Sequence, residues 1–533
     1  MKIVFKFFIS ILVIFLIVIT YLSIFGIETD RFNGQIENKI KNIDNKTEIK
    51  LDKIKLVLDP FKFKIKLKTL GPKLKNQNVI IEIESLKTQV SLKALFENKF
   101  SIENLEISTN SLEIKNFISF IRTFQNSTEL FILEKIIKKG FLIADIKLKF
   151  DSEGKIKDNI EVKGFIKDTK LGFLKKYNFK KLNFIFEYKN KDLYLNDISF
   201  SLNNLNLLSE YISFKKIEDD FLVNGVINHN KLNIDEKNFS LFIKPYFPKI
   251  NFEKLKFSSN NSFSLRLSKK LQINDLAIDS KILIEEFLII NKFDFKNFFP
   301  DLKKHINFSD HDVSIKYSKD NLIIDGKGDF LFQDKKDELK YSINRKNNNF
   351  DFKNLLKINK NPLKIDLLNY KKNNESEASI LLEGSKNNKD DIFIKSFLIS
   401  EEKNRIKVIN LKLNKSFKIL KLGSVNLDYI DVEKQKNQIT LSSKKKKYYL
   451  EGSFFNANKL IDDLLFDDNK TKLLNIDTNL KVDIKKIRLD NENNLSNFTG
   501  NITFKNKEVV KANLVGKFSD NKKLKFTINS NGN

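Results

Sequence analysis

Phe61-Lys62-Phe63-Lys64-Ile65-Lys66-Leu67-Lys68 is the stretch that decides the fold. Every second side chain is apolar and every other one is lysine. Successive side chains of a β-strand point to opposite faces, so this run makes one apolar face and one ammonium face. The spacing predicts a strand over these residues. The same alternation recurs at Val79, Ile81 and Ile83, at Ile146, Leu148 and Phe150, and at Leu480, Val482 and Ile484. Turn signals separate such runs: Asp59-Pro60, Gly71-Pro72, Asp151-Ser152-Glu153-Gly154 and Asp325-Gly326. From Thr47 onward the pattern predicts a long, twisted antiparallel β-sheet, with a strand every ~10–13 residues.

Upstream of Thr47 the periodicity is different. After Lys2 and Lys6, the run from Phe7 to Ile27 carries no charge. At about 1.5 Å per residue it matches the hydrocarbon core of a bilayer. A cleaved signal peptide would have a shorter apolar region and a small-x-small site, which Ser23-Ile24-Phe25-Gly26 does not supply. The run reads as an uncleaved transmembrane helix. Lys2 and Lys6 favour a cytoplasmic N-terminus, a bias weakened by Arg31, Lys39 and Lys41 behind the span. Thr29 or Asp30 then caps a helix whose Phe32, Ile36, Ile40 and Ile43 form one apolar stripe, packed on the first strands or lying on the membrane. Helical spacing returns in residues 116–139, at Phe117, Ile118, Phe120, Ile121 and Phe124 and again at Leu130, Leu133, Ile136 and Ile137, with Gly140 as the stop. This predicts two short helices acting as a cap or plug. A weaker helical stretch covers residues 458–466. The organisation is therefore a transmembrane anchor (1–28), a juxtamembrane amphipathic helix (29–45), first strands (46–115), a helical insertion (116–139) and an extended β-region (140–533).

Composition excludes several classes. The chain has 533 residues, of which 41% are hydrophobic, too many for a wholly disordered chain. Its net charge of +28 would ordinarily point to nucleic acid or anionic lipid. Lysine is spread along the whole chain, however, and Lys, Asn, Ile and Phe share A/T-rich codons, so no nucleic-acid partner is expected. With no cysteine there is no disulfide, thiolate metal site or lipid-modified cysteine. The histidines are His229, His305 and His311. Asp310-His311-Asp312 is the one local cluster of metal-ligand types; it reads as a turn without a second histidine, and no metal is expected. There is no G-x-S-x-G, Walker loop or H-E-x-x-H. Asp462-Asp463 and Asp467-Asp468 read as solvated helix ends. The lysines of residues 444–447, ahead of Tyr448-Tyr449, read as a basic loop that can meet anionic head groups. No catalytic residue and no cofactor is expected, and the chain reads as a non-enzyme.

A loose repeat runs through the β-region: IEVKGFIKDTKL (160–171), FLVNGVINHNKL (221–232) and YYLEGSFFNANKL (448–460). It points to one kind of β-unit laid down several times. SLKTQVSLKALFENKFSIENLEISTNSLEI (85–114) resembles the N-terminal signature of AsmA-like proteins. The glycine-centred repeats, and residues 448–528 with Gly500 and Gly516, are similar to the later β-region of the YhdP branch. The resemblance implies a bridge-like lipid-transfer protein of the bacterial inner membrane, standing in the periplasm and supporting envelope integrity. Its sheet would bend into a taco-like hydrophobic groove that carries phospholipid toward the outer membrane. It also implies a further C-terminal segment beyond Gly532-Asn533. On this reading Phe61, Phe63, Ile65, Leu67, Val79, Ile81, Ile83, Ile146, Leu148, Phe150, Leu480, Val482 and Ile484 line the lipid groove. The partners are phospholipid, the inner membrane through the Phe7 to Ile27 helix, and outer-membrane or periplasmic proteins. The alternative is an envelope scaffold working through protein–protein contacts, as in the TamB relatives. A cytoplasmic nucleic-acid binder would require the anchor to point the other way.

Overall fold

The computed structural model describes residues 2–530, apart from 32, 44–46, 77–78, 94–101, 125–127, 152–156, 158–159, 173–176, 245–249, 269, 271, 293, 388–390, 445–446, 462–477, 506–507 and 521. The chain is mainly β, with an apolar N-terminal helix α1 (Lys2–Ile24) and a few short helices. These are α2 (Asn33–Ile43), α3 (Ile114–Phe124), α4 (Thr128–Ile136) and α5 (Glu236–Phe242). Two compact units share the strands: residues 1–229 with 261–276, and residues 230–260 with 277–533.

In the first unit the strand Ile54–Asp59 pairs on one side with Ile27–Thr29 and on the other with Lys64–Leu70. The ladder continues through Val79–Ser91, Ile102–Thr109, Ile137–Lys149, Glu161–Leu171, Phe179–Lys189, Asp192–Leu202, Leu205–Ile217 and Asp220–Ile234, all antiparallel. α3 and α4 lie against this sheet as a cap. Ile114 and Ile118 join Ile137, Leu142 and Ala144 in one buried cluster, and Phe120 closes over Ile81 and Ile83 in another. The helices end earlier than the sequence pattern indicates. Ile137 already begins a strand, and Gly140 lies inside it, where a side chain would run into Thr169 and Ile114. Of the α2 stripe, Ile36 packs on the Ile49, Leu51 and Ile54 cluster. Phe32 and the side chains of Ile40 and Ile43 lie outside the described residues.

In the second unit the ladder runs from Ile273–Ile290 through His305–Ser318, Asn321–Leu331, Asp337–Lys346, Asn349–Ile358, Ala378–Lys386, Ile392–Glu401, Asn404–Leu413, Ser424–Ile430, Lys436–Lys444 and Lys447–Asn456. Thr478–Arg488, Asn494–Lys505, Glu508–Lys517 and Lys523–Asn529 complete it. The sheet is not purely antiparallel: Lys447–Asn456 and Thr478–Arg488 run parallel. A parallel pair needs a crossover connection. Here it begins with a short helical turn at residues 458–461, and residues 462–477, including Asp462, Asp463, Asp467 and Asp468, lie outside the described residues.

Three turn and strand assignments are corrected by the structure. Phe61, Lys62 and Phe63 are not in a strand but form, with Pro60, the tip of the hairpin joining Ile54–Asp59 to Lys64–Leu70. Asp325-Gly326 is mid-strand, and the turn falls at Lys319-Asp320 instead. Asp310-His311-Asp312 is also inside a strand, His305–Ser318. There a register shift toward the Asn321–Leu331 strand, with Asp310 at φ +52°, accommodates the irregular run. His311 is buried, with Nε2 at 2.8 Å from the Asp329 carbonyl oxygen.

Candidate functional site

The apolar face can be followed residue by residue across each ladder. In the first unit Leu86, Ile107, Ile146, Val162, Tyr188, Leu193, Phe214 and Val223 stand opposite one another on successive strands. A second row begins beside the anchor: Ile27, Leu56, Leu67, Thr88, Leu105 and Leu148, broken by one threonine. In the second unit Val313, Gly326, Tyr341, Asn354, Leu382, Phe397, Val408, Val425, Leu441, Leu450, Val482, Gly500, Leu514 and Phe526 form a row broken by one asparagine. Beside it run Ile315, Ile324, Ile343, Phe352, Gly384, Ile394 and Leu411, all half-buried. Each step across such a row is about 4.8 Å, close enough for neighbouring side chains to form one continuous apolar surface.

The glycines of the repeat belong to this face. A Cβ at Gly164 would approach the Phe186 ring to 2.7 Å, and one at Gly225 would approach Phe263 to 2.8 Å. Gly326 lies beneath the Tyr341 ring and Gly384 beneath Phe352. Each of these four makes room for an aromatic ring from a neighbouring strand, whereas Gly452, the third glycine of the repeat, lies against the Gln438 carbonyl oxygen and Ile439.

Part of the face is roofed by the protein itself. Ile81 and Ile83 are only 4% and 3% exposed beneath α3. Leu480, Val482 and Ile484 are buried in a cluster with Phe455, Ile487 and Leu495, against which Leu460 and Ile461 pack. These sequence-nominated positions are core, not open surface. Ile65, Leu67, Val79, Ile146, Leu148 and Phe150 are half-buried, whereas Phe61 and Phe63 project from the hairpin tip, 95% and 71% exposed.

Along one margin of the second unit the roof is a clasp built on a buried carboxylate. Glu401 accepts hydrogen bonds from the Tyr370 hydroxyl at 2.7 Å, the Asn373 N–H at 2.6 Å, the Asn404 amide at 3.0 Å and the Ser376 hydroxyl. Burial pushes its carboxyl up, but these donors outweigh burial and hold it below the usual carboxylate range. The clasp fixes residues 359–377, so that Leu363 and Tyr370 cover Ile358, Ile399 and Ile406. The Ile315 to Leu411 row lies outside this cluster.

The opposite face is charged, with ion pairs across neighbouring strands at several points. Lys163 bridges Glu187 at 3.1 Å, Lys353 bridges Glu383 at 2.5 Å and Lys254 bridges Glu286 at 2.7 Å. Such exposed pairs hold lysines on a wet surface while contributing little stability. Lys444 and Lys447 face each other at a hairpin end, with the Lys444 ammonium over the Tyr449 ring; Lys445 and Lys446 lie outside the described residues. Among the described residues no group of three or more His, Cys, Asp and Glu side chains is gathered as a metal site would need.

No family model, curated protein or solved structure matches this chain. Its site is therefore read from its own geometry. The glycine–aromatic fit, and which residues the helical cap and the Leu460–Ile461 turn cover, were missed from sequence alone, because both depend on residues far apart in the chain.

Proposed function

We propose that this chain is a membrane-anchored AsmA-type protein of the bacterial envelope that binds phospholipid by its acyl chains and conducts it along the apolar β-face. On this reading α1 sits in the inner membrane, the bulk of the chain stands in the periplasm, and lipid moves toward the outer membrane. One observation carries the proposal: an apolar row continues from strand to strand in each unit, half-buried over long stretches. Each methylene withdrawn from water is worth about 0.8 kcal/mol, so an acyl chain needs unbroken apolar surface and no specific pocket. The apolar helix Lys2–Ile24 is long enough to cross a membrane and supplies contact with a lipid source.

Native mass spectrometry of the detergent-extracted protein tests this reading. Phospholipid is expected to co-purify. Ile394→Asp, which places a charge in the open row, should reduce the bound lipid at least several-fold. Lys395→Asp, on the other face of the same strand, should leave it unchanged. Equal tolerance of the two substitutions would sink the lipid reading.

A second reading rests on a different observation. Ile143, Phe165 and Ile185 stand opposite one another on the otherwise polar face of the first unit and are all exposed. An apolar stripe on a wet face suits contact with another protein. A scaffold role would be favoured if Phe165→Lys released a co-purifying protein without altering lipid content.

A further inference from the structure

The hairpin tip that replaced an expected strand lies beside the anchor. The strand Ile27–Thr29 leads away from the end of α1, and Ile54–Asp59 runs antiparallel to it, back toward the helix. Gly26 is buried against this returning strand, where a side chain would meet the Leu56 carbonyl oxygen and Val57. The chain then continues past Val57 to the turn at residues 60–63. At about 3.3 Å per residue the tip lies on the order of 10–15 Å beyond Gly26 on the membrane side. The helix records the same overlap. Most of α1 is exposed, but Ile19, Leu22 and Ser23 are half-buried, and with Gly26 they share the i, i+3, i+4, i+7 face turned to Ile54–Asp59.

We infer that the 60–63 hairpin tip is a wedge that dips into the bilayer interface beside α1. Two aromatic side chains at the tip are exposed, Phe61 almost fully, and Phe63 holds φ +49°, a left-handed conformation that bulky residues rarely adopt. A soluble turn would place glycine or asparagine there. The hairpin's acidic group is offset, since Asp59 bridges Lys66 at 3.2 Å and accepts the Lys62 N–H at 3.2 Å. Lys62 and Lys64 flank the rings, with aliphatic stems that reach from apolar depth to the headgroups. On the water side Lys55, Lys68 and Lys87 stand opposite one another across three strands, closed at one end by Glu28 opposite Lys55 and at the other by Glu106 opposite Lys87. The inference needs α1 to lie in the membrane but not that lipid is conducted.

The chain contains no cysteine, so single cysteines introduced at Phe15, Phe61, Phe63 and Asn348 report without background. Each full-length variant is labelled with an environment-sensitive fluorophore and reconstituted into vesicles of phosphatidylcholine and phosphatidylglycerol. At Phe61 and Phe63, nitroxides carried near the lipid headgroups should quench the label strongly, and aqueous iodide several-fold less than at Asn348. The Phe15 label should respond to nitroxides deep in the acyl region. Iodide quenching at Phe61 and Phe63 equal to that at Asn348, with Phe15 still lipid-quenched, would overturn the wedge and leave the anchor intact. A Phe15 label open to iodide would overturn both.

Discussion

At the scale of single residues, the apolar face is shaped by glycines as much as by its large side chains. Gly326 lies opposite Tyr341 in the ladder, and the ring occupies the space a Cβ would take. Glycine in a strand is otherwise unfavourable, because it loses more backbone freedom on folding than other residues. Its presence here is accounted for by the close approach of the ring. Gly326→Ala should therefore force the ring aside and destabilise the protein by about 1–3 kcal/mol. Gly34, in α2, has open space around it, and Gly34→Ala should be neutral or stabilise by up to about 1 kcal/mol. Chemical denaturation of both variants in detergent checks the pair, and a Gly326→Ala protein as stable as the parent would refute the packing argument. The sequence shows Gly164 and Gly225 in a loose repeat and Gly326 as a turn signal, but not their reason, because Phe186, Phe263 and Tyr341 come from other strands. The two-residue period likewise shows which face of a strand is apolar, but not whether a helix such as α3 will close over it. The Phe61 to Lys68 run illustrates the limit: alternation continues unbroken through Phe63 while the backbone turns at Pro60.

At the scale of elements, the clasp over the second unit is the feature with the clearest dependence on pH. Glu401 is nearly inaccessible and is held below the ordinary carboxylate range by its donors. A carboxyl with a depressed folded-state pKa contributes stability above its unfolded value, about 4.3. That contribution is lost as pH falls through the folded value. Asp337 acts in the opposite sense: burial raises its pKa despite hydrogen bonds from Asn361 and the Asn359 N–H, so acid relieves it. Comparison with Glu401→Gln isolates the first effect. The variant should lose about 1–3 kcal/mol at neutral pH, since an amide cannot accept from all the donors now gathered on the carboxylate. Its deficit should shrink as pH drops below about 4.3, followed by thermal unfolding at fixed ionic strength. A deficit independent of pH would show that the carboxylate charge does not hold the clasp. None of this was legible from sequence. Glu401, Tyr370 and Ser376 are separated by turns and strands, and no local motif announces their meeting. The existence of α3 and α4 was legible, because their helical spacing interrupts a period of two. The parallel pairing of Lys447–Asn456 with Thr478–Arg488 was not, since alternation alone does not set strand direction.

At the scale of the whole molecule, the proposed function depends on whether α1 stays on the chain. An apolar N-terminal helix passes the same length test as a signal sequence, and what the helix touches distinguishes the two. A signal sequence is discarded, and the folded body has no need of it. Here the last turns of α1 share a face with the strand Ile54–Asp59, and Gly26 is buried with φ +69° where a side chain would strike that strand. The next residues, Ile27–Thr29, add a strand to the same sheet. Cleavage near Gly26 would expose Leu56 and Val57 and leave the first ladder without its helical support. The mature protein should therefore retain Lys2 and the whole apolar run. Intact-mass measurement of the membrane-extracted protein reads this directly. A reporter that is active only outside the cytoplasm, fused after Asn45, should be active on the proposed orientation, which Lys2 and Lys6 ahead of the span favour. Arg31, Lys39 and Lys41 just behind the span weaken this bias, whereas the lysines further along do not oppose it, since long segments translocate largely regardless of charge. A mature chain beginning after Gly26 would remove the membrane anchor and with it the lipid source. A retained helix with the Asn45 fusion active only in the cytoplasm would place the apolar face on the side where the envelope reading has no use for it.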